Sequence, residues 1–292
     1  MNSRSLLASA AFAAVASIAA PSQAQTVVGL TTTNALLSFD ASAPAFGSSL
    51  TNITGLATNE RILAIDLRPG NGLIYGISTD SKLYTITLGG AASLVGALGT
   101  TLSGNAIGID FNPEADRLGA TSLRVVSYTG QNLAVNANTG LATVATPVQA
   151  GFSGVAYANN DTSAATGTAL YYIDTTTDLL KTAPGNFNAP TIATVGALGF
   201  DANGVAGFDI FGASAGYAAL TNADSGKSAF YGIDLGSGAA SFIGEFGIGG
   251  NTAIAPALLG LTVAAIPEPG SVALMLAGLA GVGFAARRRM RP

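Results

Sequence analysis

The sequence predicts an all-β protein: a β-propeller of five four-stranded blades, closed by pairing of the N- and C-terminal strands, with a cleavable hydrophobic helix at each end. Three observations carry that expectation. First, the chain repeats itself. Leu36, Leu83, Leu133, Leu179 and Phe230 mark one recurring line of segments, at steps of 47, 50, 46 and 51 residues. A second line runs through Ile65-Asp66-Leu67, Ile109-Asp110-Phe111, Gly154-Val155-Ala156-Tyr157, Phe208-Asp209-Ile210 and Gly260-Leu261-Thr262, and the pentamer Val95-Gly96-Ala97-Leu98-Gly99 returns unchanged from Val195 to Gly199. Second, each unit holds about four short alternating or β-branched runs, parted by turn formers such as Pro69-Gly70-Asn71-Gly72 and Asn138-Thr139-Gly140, with no sustained 3.6-residue period. Four strands per repeat of roughly 45 residues is the arithmetic of a propeller blade; the rungs of a β-solenoid are shorter. Third, only 10% of residues are charged and 38 of 292 are glycine. Sheets covered on both faces need few charges, and inner strands crowded at an axis need small residues.

The elements follow in order. Arg4 precedes an apolar run from Leu6 to Ala20, broken only by Ser9 and Ser17, and Pro21 then leads into Ser22-Gln23-Ala24. This is the layout of a secretory signal peptide cut between Ala24 and Gln25. The run is about 15 residues, short of the roughly 20 that an uncleaved span requires. If a blade begins with the Ile65-Asp66-Leu67 type of strand, four complete blades fill Arg61 to Gly247. The fifth then combines a terminal strand, Leu258 to Val263, with N-terminal strands from Thr26 to Thr54. At the far end, Ile266-Pro267-Glu268-Pro269-Gly270-Ser271 is followed by an apolar run, Val272 to Ala286, and by Arg287, Arg288, Arg289 and Arg291. An apolar helix ending in a basic cluster is a stop-transfer arrangement, and Gly278, Gly281 and Gly283 weaken this one in a way that suits a temporary anchor. The expected division is therefore 1–24, 25–265 and 266–292.

Composition excludes several function classes. The chain has no His, Cys or Trp. Ser-His-Asp and Cys-His nucleophile systems, disulfides, and conventional zinc, haem or iron–sulfur sites are all excluded. Between Gln25 and Ile266 there are seven cations and fifteen acids, a net charge of −8. Nucleic-acid binding demands clustered Lys and Arg, so nucleic acid is excluded as a partner.

Asp66, Asp110 and Asp209 are the candidate ligand-binding residues, because they occupy equivalent positions in three repeats whose strands converge on an axis. Carboxylates so placed serve glycosidases as general acid, general base and pKa modulator, or hold Ca²⁺ through oxygen alone. The structural alternative weighs more heavily: a recurrent Asp accepts backbone N–H bonds from an adjacent turn, and recurs because the blade recurs. Arg68 and Arg117 are expected to pair with Asp66 or Asp116 in ordinary salt bridges. The eight tyrosines are expected to pack within strands, and Asp201-Ala202-Asn203-Gly204 reads as a turn, since it lacks the ligands of a Ca²⁺ loop.

Two resemblances extend this reading. Pro267-Glu268-Pro269, the apolar run and the arginine cluster, in that order, resemble the PEP-CTERM sorting signal of exopolysaccharide-producing Gram-negative bacteria. The resemblance implies cleavage at or near Pro-Glu-Pro by an exosortase-type membrane enzyme, after signal peptidase and a transient stay in the inner membrane. Ile65-Asp66-Leu67-Arg68-Pro69 with Leu73-Ile74-Tyr75-Gly76, Gly108 to Pro113, and Arg124-Val125-Val126-Ser127 with Thr129 to Leu133 resemble the DUF4394 family, from about Val28 to Val263. A small insertion at Gly119-Ala120-Thr121-Ser122 departs from its pattern. That family implies a propeller-like fold and no established activity. The expectation is an exported, non-enzymatic surface or matrix protein, without a cofactor, in contact with extracellular polysaccharide. The alternatives are an extracellular glycosidase or lyase using the three aspartates, and a Ca²⁺-stabilised adhesin.

Overall fold

The computed structural model describes residues 25–119, 122–160, 163 and 166–265. The signal-peptide reading, the Pro267-Glu268-Pro269 motif and the arginine cluster lie outside the described residues, as do Ala120 and Thr121. No helix among the described residues is long and apolar enough to cross a membrane.

Five four-stranded antiparallel sheets make up the fold. In the closing blade the order is β20 (Leu258–Ala265), β1 (Gln25–Thr31), β2 (Ala35–Asp40) and β3 (Thr51–Asn52). The next blade is β4 (Ile62–Leu67), β5 (Ile74–Ser78), β6 (Lys82–Ile86) and β7 (Ala92–Ala97). It is followed by β8 (Ile107–Phe111), β9 (Leu123–Ser127), β10 (Asn132–Val135) and β11 (Ala142–Val144). The fourth is β12 (Phe152–Tyr157), β13 (Leu170–Asp174), β14 (Leu179–Ala183) and β15 (Ala193–Ala197). The fifth is β16 (Ala202–Phe211), β17 (Ala215–Asn222), β18 (Ser228–Asp234) and β19 (Ala240–Glu245). The closing ladder pairs Gln25 with Ala265 and continues to Leu30 opposite Gly260, so the two ends of the ring are joined by backbone hydrogen bonds. Closure leaves no free edge at the joint.

Each junction between blades has its own apolar core. Tyr75 packs edge-on against Phe111 at 5.1 Å between the second and third blades. Phe152 and Tyr172 fill the next junction, and Phe208 and Ile210 meet Ile173 and Leu180 in the one after. Phe39 meets Phe230 at 5.2 Å where the fifth blade joins the closing blade. Ile65 and Tyr84 join Val28 and Leu36 at the last. Successive residues of one strand serve opposite junctions, as Leu83 and Tyr84 do. That is why the strands read as continuous apolar runs rather than clean alternations.

The leucine line falls on the third strand of every blade, with two corrections: Asn132, which pairs with Val126, rather than Leu133, holds the place of Leu83 in the third blade. Leu180, not Leu179, is the buried equivalent of Leu83: Leu83 pairs with Ile77 and Gly96, and Leu180 with Ile173 and Gly196. A one-residue slip turns a side chain to the other face, and two adjacent leucines hide which one faces in. The repeated pentamer proves to be an inter-blade clasp. The Leu98 N–H bonds to Ser81 in its own blade while its carbonyl accepts from Ala142 of the next, and Leu198 does the same between Asp178 and Ala240.

Two readings are corrected. Ala202-Asn203-Gly204 opens β16, with a bulge before Ala206, rather than forming a turn. A short helix, α1 (Pro113–Arg117), stands where no helix was expected; Asn112 caps it by accepting from the N–H groups of Glu114 and Ala115. Its brevity leaves no periodicity to detect.

Candidate functional site

The inner strands β4, β8, β12, β16 and β20 run in the same direction around the axis. Two levels establish this. Ala64, Gly108, Gly154, Gly207 and Gly260 share the lower level, lining an axial void of about 10 Å³, roughly the room one water needs. A β-carbon on Gly108 would lie 2.7 Å from the Val155 nitrogen, and one on Gly207 would lie 2.7 Å from backbone atoms of Gly260. Glycine is required here because each strand backs directly onto the next.

Two residues further along lie Asp66, Asp110, Ala156, Asp209 and Thr262, on the same side of their strands as the small residues. Arg68, Asn112 and Ala158 give their N–H groups to Leu73, Ser122 and Ala169 in their own blades. Alternation therefore turns the N–H groups of Leu67, Phe111 and Tyr157 toward the axis, where no further strand can accept them. The aspartates do. Asp66 Oδ2 accepts from Phe111 N–H at 2.8 Å, and Asp209 Oδ2 accepts from Val263 N–H at 2.6 Å, each one blade ahead. Asp110 faces the backbone N–H of Tyr157. Thr262 Oγ1 accepts from Leu67 N–H and donates to Asp66 Oδ1, both at 3.1 Å. Only Ala156 has nothing to offer, and the Ile210 N–H it would have met bonds Asp209 Oδ1 at 2.6 Å instead.

The structure thus brings together all three sequence-predicted aspartates. Oxygens of Asp66, Asp110 and Asp209 lie within 4.8 Å of one another, and the residues are 4%, 3% and 2% exposed. Their partners are strand N–H groups, of the following blade and, for Asp66 and Asp209, also of the next residue in their own strand, rather than those of an adjacent turn. Thr262 is the member that sequence reasoning passed over. The available signal was position: Thr262 follows Gly260 by two residues, as Asp110 follows Gly108.

Electrostatics follow from dryness and crowding. Burial, then the charge of Asp209, hold the Asp66 carboxyl well above the ordinary carboxylate range. Burial, then Asp66 and Asp209, do the same to Asp110. Burial raises Asp209 to about 6, opposed by the N–H groups of Val263 and Ile210. Burial and mutual repulsion thus favour the protonated carboxyl at all three positions. Both oxygens of Asp66 and of Asp209 already accept backbone hydrogen bonds, which leaves few of the side-chain oxygens here free for the six to eight ligands that Ca²⁺ takes.

The other singled-out residues lie elsewhere. Arg68 pairs with Asp116 at 2.7 Å, not with Asp66, and Arg117 reaches Glu114 at 3.9 Å. Tyr128 is 37% exposed, while Tyr75, Tyr84, Tyr157 and Tyr172 are buried.

Fold and axis define a closed five-bladed β-propeller with a polar axial ring, and such rings serve many unrelated functions. The chain belongs to the DUF4394 family, described as a domain of unknown function, whose model matches residues 35–255, and the PEP-CTERM protein-sorting motif matches residues 265–289. That motif marks the chain for export to the cell envelope of a Gram-negative bacterium and for processing by an exosortase-type enzyme. No curated protein matches the sequence. Among solved structures, a chain of the nidogen/laminin complex is similar at 12% identity and a TM-score of 0.50, covering 83% of this chain and 98% of that one. YCF48 from Cyanidioschyzon merolae aligns at 12% identity and a TM-score of 0.37, over 70% of this chain and 67% of that one. The first likeness concerns the fold alone, and nothing rests on the second.

Proposed function

We propose that this protein is a non-enzymatic module of the cell surface or extracellular matrix, cut at or near Pro267-Glu268-Pro269 and serving as a binding or structural element within polysaccharide. The observation that carries the reading is the use made of the axial carboxylates. A glycosidase needs two carboxyl groups that reach a sugar. Here they are buried, and hydrogen bonds tie Asp66 and Asp209 to the backbone of the next blade. The inner-membrane anchor formed by Val272 to Ala286 with Arg287, Arg288, Arg289 and Arg291 is temporary in this reading, and the ring works without a metal.

The test is the intact mass and location of the native protein, with and without Pro267→Ala and Pro269→Ala. A product ending near Ile266, replaced in the variant by precursor retained in the inner membrane, is the expected result. A full-length C-terminus in both overturns the sorting step. Release of reducing ends or unsaturated sugars from the host's polysaccharide, lost in Asp110→Asn, would overturn the non-enzymatic role. EDTA is expected to leave the Tm unchanged; a fall restored by Ca²⁺ would favour the adhesin.

A further inference from the structure

The closing ladder places the two processing junctions side by side. Gln25 pairs with Ala265, so the chain enters β1 and leaves β20 at one point, on the face where all five inner strands end. Six residues, Ile266 to Ser271, separate β20 from the apolar run beginning at Val272, and four, Pro21 to Ala24, separate the N-terminal run from β1. At about 3.3–3.6 Å per residue, these bridge at most about 20 and 14 Å. A chain held in a bilayer by either run keeps this exit point within that distance of the lipid.

The same face carries apolar side chains without partners. Leu73 joins β4 to β5, Leu88 joins β6 to β7, Leu118 follows α1, and Leu141 closes the turn before β11; they are 48%, 56%, 66% and 60% exposed. All four lie at the exit-face ends of two neighbouring blades, the first of which adjoins the closing blade. The opposite face, where the connections run from second to third strand and from blade to blade, carries Tyr128 and Ile254, with Phe46 at 70% exposure beside Gly250 of the β19–β20 connection. Leucines spread over separate loops suit the boundary of a bilayer, where apolar tips sink between headgroups. The half-exposed Arg117 accompanies them, offset by Glu114.

We propose that this exit face is a lipid-docking surface: while the C-terminal segment is attached, the propeller rests on the bilayer through Leu73, Leu88, Leu118 and Leu141, with the cut junction held at the membrane surface. The proposal rests on the anchor reading above and adds the orientation. The absence of cysteine makes single-site labelling clean.

The test uses the uncut full chain with Pro267→Ala and Pro269→Ala, in vesicles of phosphatidylethanolamine and phosphatidylglycerol containing nitroxide lipid. A fluorophore is attached at Leu88→Cys or Leu118→Cys on the exit face, or at Thr101→Cys or Asp201→Cys on the opposite one. Quenching severalfold stronger at the first two supports the proposal, as does loss of that contrast when Leu73 and Leu141 are changed to Ser. Equal quenching on both faces, or none on either in protein that floats with the vesicles, overturns it. Quenching that appears only with the processing enzyme present overturns the lipid contact in favour of a protein one. Failure to float overturns the anchor reading itself, and the orientation with it.

Discussion

Carboxylates are buried at two radii of this ring, and the two sets behave in opposite ways. At the rim, each has a cation. Asp174 Oδ2 lies 2.9 Å from Lys181 Nζ and also accepts from Gln149. Glu60 meets Lys82 at 3.2 Å and accepts from Ser78 and Tyr84. Burial raises both carboxyls, but these partners outweigh it and hold Glu60 and Asp174 below their usual range. At the axis no cation is present. Asp66, Asp110 and Asp209 are buried within reach of one another, and all three are raised. The rim uses the ionised carboxylate as a charge; the axis uses the carboxyl as a connector between backbones. Residue type alone does not separate these roles. What separates them is whether Lys or Arg stands beside the group, and the innermost strands have neither.

The sharpest break in that comparison is Lys181→Met. It strands an ionised carboxylate whose side chain is 0% exposed, and breaking a buried pair costs about 3–5 kcal/mol. At about 2–4 °C per kcal/mol for a ring of this size, the Tm falls by roughly 10 °C at pH 7.5. Asp110→Asn, which removes a carboxyl from the axis, leaves Tm unchanged or raises it at the same pH. A large loss from Asp110→Asn and none from Lys181→Met would invert the assignment.

Next in size is Asp209→Ala. It leaves the N–H groups of Ile210 and Val263 without their acceptor in a site closed to water, at about 1–3 kcal/mol each. The loss should be read by thermal unfolding at pH 5, where Asp209 is largely neutral. Asp209→Asn retains one acceptor oxygen and is expected to lose about half as much. Equal losses from the two substitutions would mean that the amide oxygen of Asn restores nothing, against the connector role.

The pH profile follows from the two sets of shifts. Lowered rim carboxyls contribute stability that is present above their unfolded pKa, about 4, and is lost as pH falls through the folded value. Raised axial carboxyls contribute stability that is full below about 4 and is lost as pH rises through the folded values, beginning with Asp209 near 6. The expected profile has its maximum near pH 4 and declines from there, the share due to Asp209 being lost by the time pH has passed about 6. Asp110→Asn should flatten the alkaline limb and leave the acid limb alone. A wild-type Tm that climbs steadily from pH 5 to 8 would contradict the raised axis.

Much of this architecture was legible in the chain because repetition amplifies weak signals. Five copies of a hairpin pattern gave the blade number, and the position of Leu258 to Val263 relative to Thr26 gave the closing blade. The three aspartates were found for the same reason. What they bond was not legible, since an N–H turned toward the axis depends on which edge of a strand is free. Thr262 and Ala156 escaped because they break the repeat while keeping its position. The Leu179–Leu180 slip arose because the β13–β14 turn, with Asp178 at φ +53°, sets a register that composition does not encode.

Ala156 offers the finest test of the connector role. In the closing blade, Thr262 shows what a hydroxyl does at this level: it accepts the next blade's N–H and donates to the next blade's aspartate. Ala156 is the same position one blade before Asp209, fully buried and without a polar atom. Ala156→Ser adds one oxygen, the smallest change that restores the pattern. Its hydroxyl would accept from Ile210 N–H and donate to Asp209 Oδ1, as Thr262 does for Leu67 and Asp66. A net gain of about 0.5–1.5 kcal/mol is the ordinary return for such a bond, a rise of about 1–6 °C in Tm. Because the new donor favours the ionised form of Asp209, the gain should be larger at pH 7.5 than at pH 5. A loss at both pH values would mean that the ring tolerates no further polar atom, and that Ala156 is kept for packing against Ile173 and Phe208.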